Sequence, residues 1–150
     1  MDEAGALKLL AKGEVAFLGM VEDLSNGSLG GYTIPINYAW DGADHIYMHC
    51  AMEGHKLDCI DRWPNVTLSV SGATKIMPGQ FTTLRESIVV RGTVERHLTE
   101  EGRHQALMML VKKYDPEHME EGKSVADRAL AKTEILRITI THISAKAKQK

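Results

Sequence analysis

The chain has 150 residues, 43% of them hydrophobic, and a formal net charge of -2. That length suits one domain around a single core and is short for two, while the lack of a basic excess argues against nucleic acid or an anionic membrane surface as a partner. No apolar run approaches the roughly 20 residues needed to span a bilayer, and Met1 to Lys12 mixes Asp2, Glu3, Lys8 and Lys12 where a secretory leader would be apolar, so the expectation is a soluble cytoplasmic protein.

A short helix is expected over Ala4 to Ala11. Alternation of period two then marks three successive strands: Val15, Phe17, Gly19 and Val21; Tyr32, Ile34, Ile36, Tyr38 and Trp40; and Ile46, Met48 and Cys50. The joints between them suit turns, because Ser25-Asn26-Gly27 and Gly30-Gly31 tolerate positive φ and Asp41-Gly42 is a short-hairpin signal. A second helix is expected from Glu53 to Arg62. Strands at Val66 to Ser71, Ser87 to Arg96 and Ile135 to Ile143 place Leu68, Val90, Val94, Leu136, Ile138 and Ile140 on one face. Thr99 is a suitable N-cap for a third helix ending at Lys113, with Glu100 and Glu101 in its first turn and Lys112 and Lys113 in its last. Tyr114 to Ala131 is expected to form a loop with a short helix, and Lys146 to Lys150 to be a solvated, frayed end. Six strands are enough to curl and close into a mainly β (α+β) fold with flanking helices.

Chemistry concentrates in Tyr47-Met48-His49-Cys50-Ala51-Met52-Glu53-Gly54-His55-Lys56, where a strand runs into a helix start. The N–H groups of a first helical turn, a glycine for close approach and Lys56 together make a sound phosphate cradle. Taken alone, the same residues also fit a surface lysine and an exposed strand histidine, and that reading stays open. No metal site follows from the strand: His45 and His49 are four residues apart, roughly 13 Å, Cys50 points the other way, and Cys59 is placed in the core. The cysteines lack C-x-x-C spacing and read as reduced thiols. G-x-S-x-G, G-x-G-x-x-G and Walker loops are missing. Pro35 inside a strand belongs at an edge, at a bulge or where something approaches the backbone, which makes Asn37 and Tyr38 candidates to line a ligand.

The segments Tyr32 to Tyr38, Ile46 to Ala51 with Gly54, Lys56 and Asp58, and Trp63-Pro64-Asn65-Val66 resemble the FMN-binding split barrels of the pyridoxamine-phosphate-oxidase-like superfamily. Phe81 to Gly92 is similar to its nitroimidazole-resistance (Nim) branch. The resemblance implies a six-stranded antiparallel split β-barrel, working as a homodimer with FMN in the cleft between two barrels. It implies that Gly54, His55 and Lys56 hold the phosphate, that Pro35, Ile36, Asn37 and Tyr38 approach the flavin ring, and that His49, Cys50 and Ala51 flank the ribityl chain or ring edge. Phe81, Thr82, Thr83, Glu86 and Ser87 would complete the cleft, some across the dimer.

The chain departs from the family pattern in carrying Arg85 before Glu86-Ser87 and in a glycine-rich Leu24 to Gly31 hairpin. It ends in Thr141 to Lys146 and beyond without an arginine-rich motif, which argues against vitamin B6 synthesis. The implied activity is reduction of small electron-poor aromatics such as 5-nitroimidazoles, with a nicotinamide electron donor and His49 as proton donor. The alternatives are a non-catalytic flavin-binding or redox-sensing module, and a haem-binding or haem-degrading barrel with His49 or His142 as axial ligand.

Overall fold

The computed structural model describes residues 1–149. In chain order the elements are α1 (Glu3–Lys12), β1 (Ala16–Asp23), β2 (Leu29–Ile36), β3 (Ala39–Trp40), β4 (His45–Ala51), α2 (His55–Arg62), β5 (Asn65–Met77), β6 (Thr82–Glu95), α3 (Glu100–Tyr114), α4 (Met119–Ala129) and β7 (Thr133–Lys148). The strands form one antiparallel seven-stranded sheet in the order β2-β1-β5-β6-β7-β4-β3, flanked by the helices as a split barrel requires. Side chains from both edges meet in one cluster with α1 and α2, including Leu9, Leu10, Leu18, Met48, Leu68, Val90, Leu136 and Ile138.

The seventh strand comes from a break in the expected Tyr32 to Trp40 strand. Asn37 and Tyr38 carry the chain from β2, at one edge of the sheet, to the two-residue β3 at the other. Tyr38 is fully buried, and its hydroxyl donates to the Leu10 carbonyl at 2.5 Å. The end of α3 stitches this seam. Lys113 Nζ donates to the carbonyls of Gly13 (2.5 Å) and Tyr38 (2.8 Å), and the Tyr114 hydroxyl lies 2.6 Å from the Glu14 carbonyl while accepting the Tyr38 N–H at 3.0 Å.

Four further expectations are corrected. In β1 the buried side chains are Ala16, Leu18 and Met20, while Val15 and Phe17 are 44% and 48% exposed. Val15 to Val21 is apolar at both parities, so alternation alone could not choose the inner face. β6 begins at Thr82, not Ser87, and the tail is not frayed: β7 runs to Lys148, paired opposite Arg85. The early residues of β6 need partners for their backbone groups, and the tail supplies them. Gly30 and Gly31 lie inside β2, whereas Gly27 and Gly42 take the positive φ, both +81°. Lys150, the last residue of the expected frayed end, lies outside the described residues.

Other expectations agree. Pro35 sits opposite Phe17 in β2, an edge strand, where a proline is tolerated. Thr99 caps α3 by accepting the Gly102 N–H at 3.0 Å. Helices α3 and α4 cover the outer face of β4 and β7, where Ala106, Leu107, Ala126 and Ile135 form a second buried cluster against Tyr47. Among the described residues no helix is long and apolar enough to cross a membrane.

Candidate functional site

The turn from β4 into α2 is built around Gly54, whose φ of +152° few other residues adopt. The glycine carbonyl accepts the N–H groups of Leu57 (3.0 Å) and Asp58 (3.3 Å), which leaves the first-turn N–H groups of His55 and Lys56 with no acceptor inside the helix. A Cβ on Gly54 would make only an ordinary contact, 3.9 Å from Lys56 Nζ, so it is the φ that calls for glycine, and the Lys56 ammonium lies beside the turn. Cys50, at the end of β4, is a half-buried free thiol. Burial pushes it up, Lys56 opposes that, the buried Glu134 carboxylate adds to it, and Arg96 opposes it in turn. An open turn, two N–H donors and a lysine can hold an anion of phosphate size.

His55 is used differently from its neighbour. Its Nε2 lies 2.6 Å from Glu22 Oε2, its ring meets the Tyr32 ring edge-on at 4.7 Å, and Cys59 Sγ is 3.5 Å from the same nitrogen. Glu22 is 33 residues away in sequence, and nothing in the helix pattern announces it.

His49 points to the other side of β4. It is exposed and, with Asn37, opens onto a cleft of about 590 Å³ walled by Leu107, Leu110, Val111, Tyr114, Val125 and Ala126 of α3 and α4. His118 and Asp115 stand at the rim, paired at 2.6 Å. Asn37 is held by its side-chain amide, which donates to the Glu14 carbonyl at 3.0 Å. The cleft therefore combines apolar walls with a few polar groups, as small-molecule sites do. Its far wall could not be read from sequence, because Tyr114 to Ala131 has only a weak helical pattern and its docking depends on the α3–α4 packing.

The remaining candidates are spread out. Pro35 is exposed on the outer face of β2, and Ile36 is half-buried against the core. Tyr38 has no side-chain surface for a ligand, because the seam buries it completely. Ala51 is exposed at the end of β4. Phe81 is fully exposed at the β5–β6 hairpin tip with a φ of +51°, followed by the half-buried Thr82 and Thr83. Glu86 accepts the Gln149 side-chain N–H at 3.2 Å, and Ser87 pairs with Lys146. Along β7, Ser87 is opposite Lys146 while Ala51 is opposite Thr133, a separation of about 40 Å of strand. Within one chain the structure joins Asn37 with His49, and Cys50 with Lys56, but keeps Phe81 to Ser87 away from both.

The model of the family described as pyridoxamine 5'-phosphate oxidase matches residues 2–147. The chain belongs to that family. No curated protein sequence matches it. Among solved structures, this family member superposes on a candidate 5-nitroimidazole antibiotic resistance protein of Bacteroides thetaiotaomicron with a TM-score of 0.78 and 21% identity, covering 96% of this chain and 82% of that one. The FAD- and haem-binding protein of Mycobacterium smegmatis gives 0.82 and 19%, over 99% and 72%. A FAD-binding protein of Mesorhizobium loti gives 0.67 and 20%, over 99% and 96%. At these identities the likeness is one of fold, and it covers the split sheet of the pyridoxamine 5'-phosphate oxidase family almost end to end.

Proposed function

We propose that the chain binds FMN as a homodimer and is a reductase of small electron-poor aromatics such as 5-nitroimidazoles, taking electrons from a nicotinamide donor. The observation that carries this is the turn at Gly54: an open glycine, two first-turn N–H groups and Lys56 at the end of a barrel strand fit a phosphate monoester. The flavin-binding and nitroimidazole-resistance proteins among the structural neighbours support the same choice.

Lys56 and the backbone of His55 hold the phosphate, while the His55 ring stays on Glu22. Pro35 and Asn37 approach the ring from the edge strand, and Cys50 and Ala51 border the path between ring and phosphate. Phe81, Thr82, Thr83, Glu86 and Ser87 of a second copy complete the cleft, since in their own chain about 40 Å of β7 runs between the partner of Ser87 and that of Ala51, at the end of the strand that leads to Lys56. FMN supplies hydride transfer once bound. The apolar walls around His49 exclude water and seat a flat ring, and an imidazole N–H of His49 delivers the proton to the reduced substrate.

The absorbance of the purified protein tests this. Flavin bands near roughly 370 and 450 nm, and their bleaching and recovery on adding a nicotinamide donor and then a 5-nitroimidazole, are the expected result. A colourless protein that ignores added FMN, or a sharp haem band in its place, overturns it. Lys56→Ala should weaken FMN binding at least about tenfold, the loss of one charge-assisted phosphate contact. Fluorescence titration with FMN measures it, and unchanged affinity removes Lys56 from the site.

A further inference from the structure

Glu22, His55 and Cys59 bring a carboxylate oxygen, an imidazole nitrogen and a sulfur within 4.8 Å of one another. We propose that these three side chains bind a divalent transition-metal ion of the zinc type, with the fourth position taken by water. His55 and Cys59 are four residues apart on α2 and so share a helix face, and Glu22 reaches them from β1, which packs against that helix.

One edge of the cluster already has the length a tetrahedral ion requires. With metal–nitrogen and metal–sulfur bonds of the usual lengths, the nitrogen–sulfur edge of the tetrahedron is about 3.6 Å, and the observed distance is 3.5 Å. The nitrogen–oxygen edge should be about 3.4 Å; Glu22 is now 2.6 Å from His55, as a hydrogen-bonded pair, and its flexible side chain needs only a small swing outward. Tyr32 packs against the His55 ring in a T-shaped contact with ring centres 4.7 Å apart, which restricts how far the imidazole can turn.

Charge points the same way. A carboxylate and a thiolate with a neutral imidazole carry two negative charges, which balance a dication. Burial raises the Cys59 thiol, with Glu22, Asp58 and Asp23 adding to it, so the thiol proton leaves only as the dication takes its place; Arg62 is paired with Asp23 at 2.8 Å. The His55 side chain is 53% exposed, so an ion and its water can enter from solvent. The donor set of sulfur, nitrogen and oxygen suits zinc or cobalt and not magnesium or calcium. This site stands apart from the flavin proposal, since it uses the His55 ring and not the turn that faces Lys56.

Titration of the purified protein with cobalt(II), followed by displacement with zinc, tests the site. The expected result is one ion per chain with a thiolate-to-cobalt charge-transfer band, both abolished in Cys59→Ser and kept in Cys50→Ser. Glu22→Gln and His55→Gln replace partly exposed side chains by nearly isosteric ones, and report even where Cys59→Ser folds poorly; each should weaken cobalt binding at least about tenfold. Absence of the band, its loss in Cys50→Ser in place of Cys59→Ser, or unchanged affinity in both Glu22→Gln and His55→Gln overturns the proposal. Flavin content is read in the same samples, and metal binding is expected whether or not FMN is present, which separates this proposal from the previous one.

Discussion

Lys113 and Tyr38 show how single side chains at the seam couple stability to pH. The Lys113 ammonium lies 3.7 Å from the centre of the Tyr38 ring while donating to two carbonyls, and burial lowers it to about 8, against the pull of Glu14. The unfolded chain holds that proton up to about 10.4, so between pH 8 and that value the unfolded state binds more protons and stability rises with pH. Tyr38 acts in the opposite sense: burial, with Tyr114 adding to it, pushes its phenol up, so stability falls once pH passes the unfolded tyrosine value of about 10. Urea denaturation should therefore show a gain of about 1 kcal/mol between pH 7.5 and 9.5, after discounting for solvent screening. In Lys113→Met that gain should vanish. A variant with the same pH slope as the parent would show that Lys113 is not its source.

At the scale of elements, the pairing of β6 with β7 depends on a bulge. The register shifts between Arg91 and Gly92, and a Cβ on Gly92 would come within 2.5 Å of the Thr139 carbonyl oxygen and of Ile138 Cγ2. A backbone oxygen cannot step aside as a side-chain tip can, so Gly92→Ala should cost about 2 kcal/mol through overpacking. Gly31, in edge strand β2, has nothing within 4 Å of such a Cβ, and Gly31→Ala should stay within about 0.5 kcal/mol of the parent. Equal urea midpoints for the two variants would contradict the role assigned to the bulge. The bulge also helps to bend long strands around the core, which brings both sheet edges within reach of Tyr38 and the end of α3.

For the whole molecule, the distribution of apolar surface bears on the proposed dimer. Phe17 faces outward from β1 and Val15 is exposed just before it, and Ile76 and Phe81, 72% and 101% exposed, stand at the β5–β6 tip. Large apolar side chains on an outer sheet face are the kind of surface a second copy covers. Light scattering should give twice the chain mass, and Phe17→Glu should shift the protein toward monomer and lower its FMN content together. A parent protein that is monomeric at micromolar concentration, or a fully dimeric Phe17→Glu, would remove this face from the interface.

The centres of most strands, the Thr99 cap and the turns at Gly27 and Gly42 were legible in the sequence, because each follows from local chemistry: alternation, a hydroxyl before a first turn, glycine at positive φ; the edge position of Pro35 was one of three that a proline without an N–H left open. The turn carrying Gly54 and Lys56 was legible for the same reason, all its parts lying within a few residues. The inner face of β1 was not, since Val15 to Val21 is apolar at both parities and only packing selects Ala16, Leu18 and Met20. The strand break at Tyr38 and the extension of β7 to Lys148 likewise depend on partners far away, Leu10 and Tyr114 for the one and Arg85 for the other. So do the wall of the His49 cleft and the meeting of Glu22 with His55 and Cys59. Sequence by itself determined what each segment can do locally; the tertiary structure decided which segments meet, because those contacts are made across the curled sheet by residues that share no pattern along the chain.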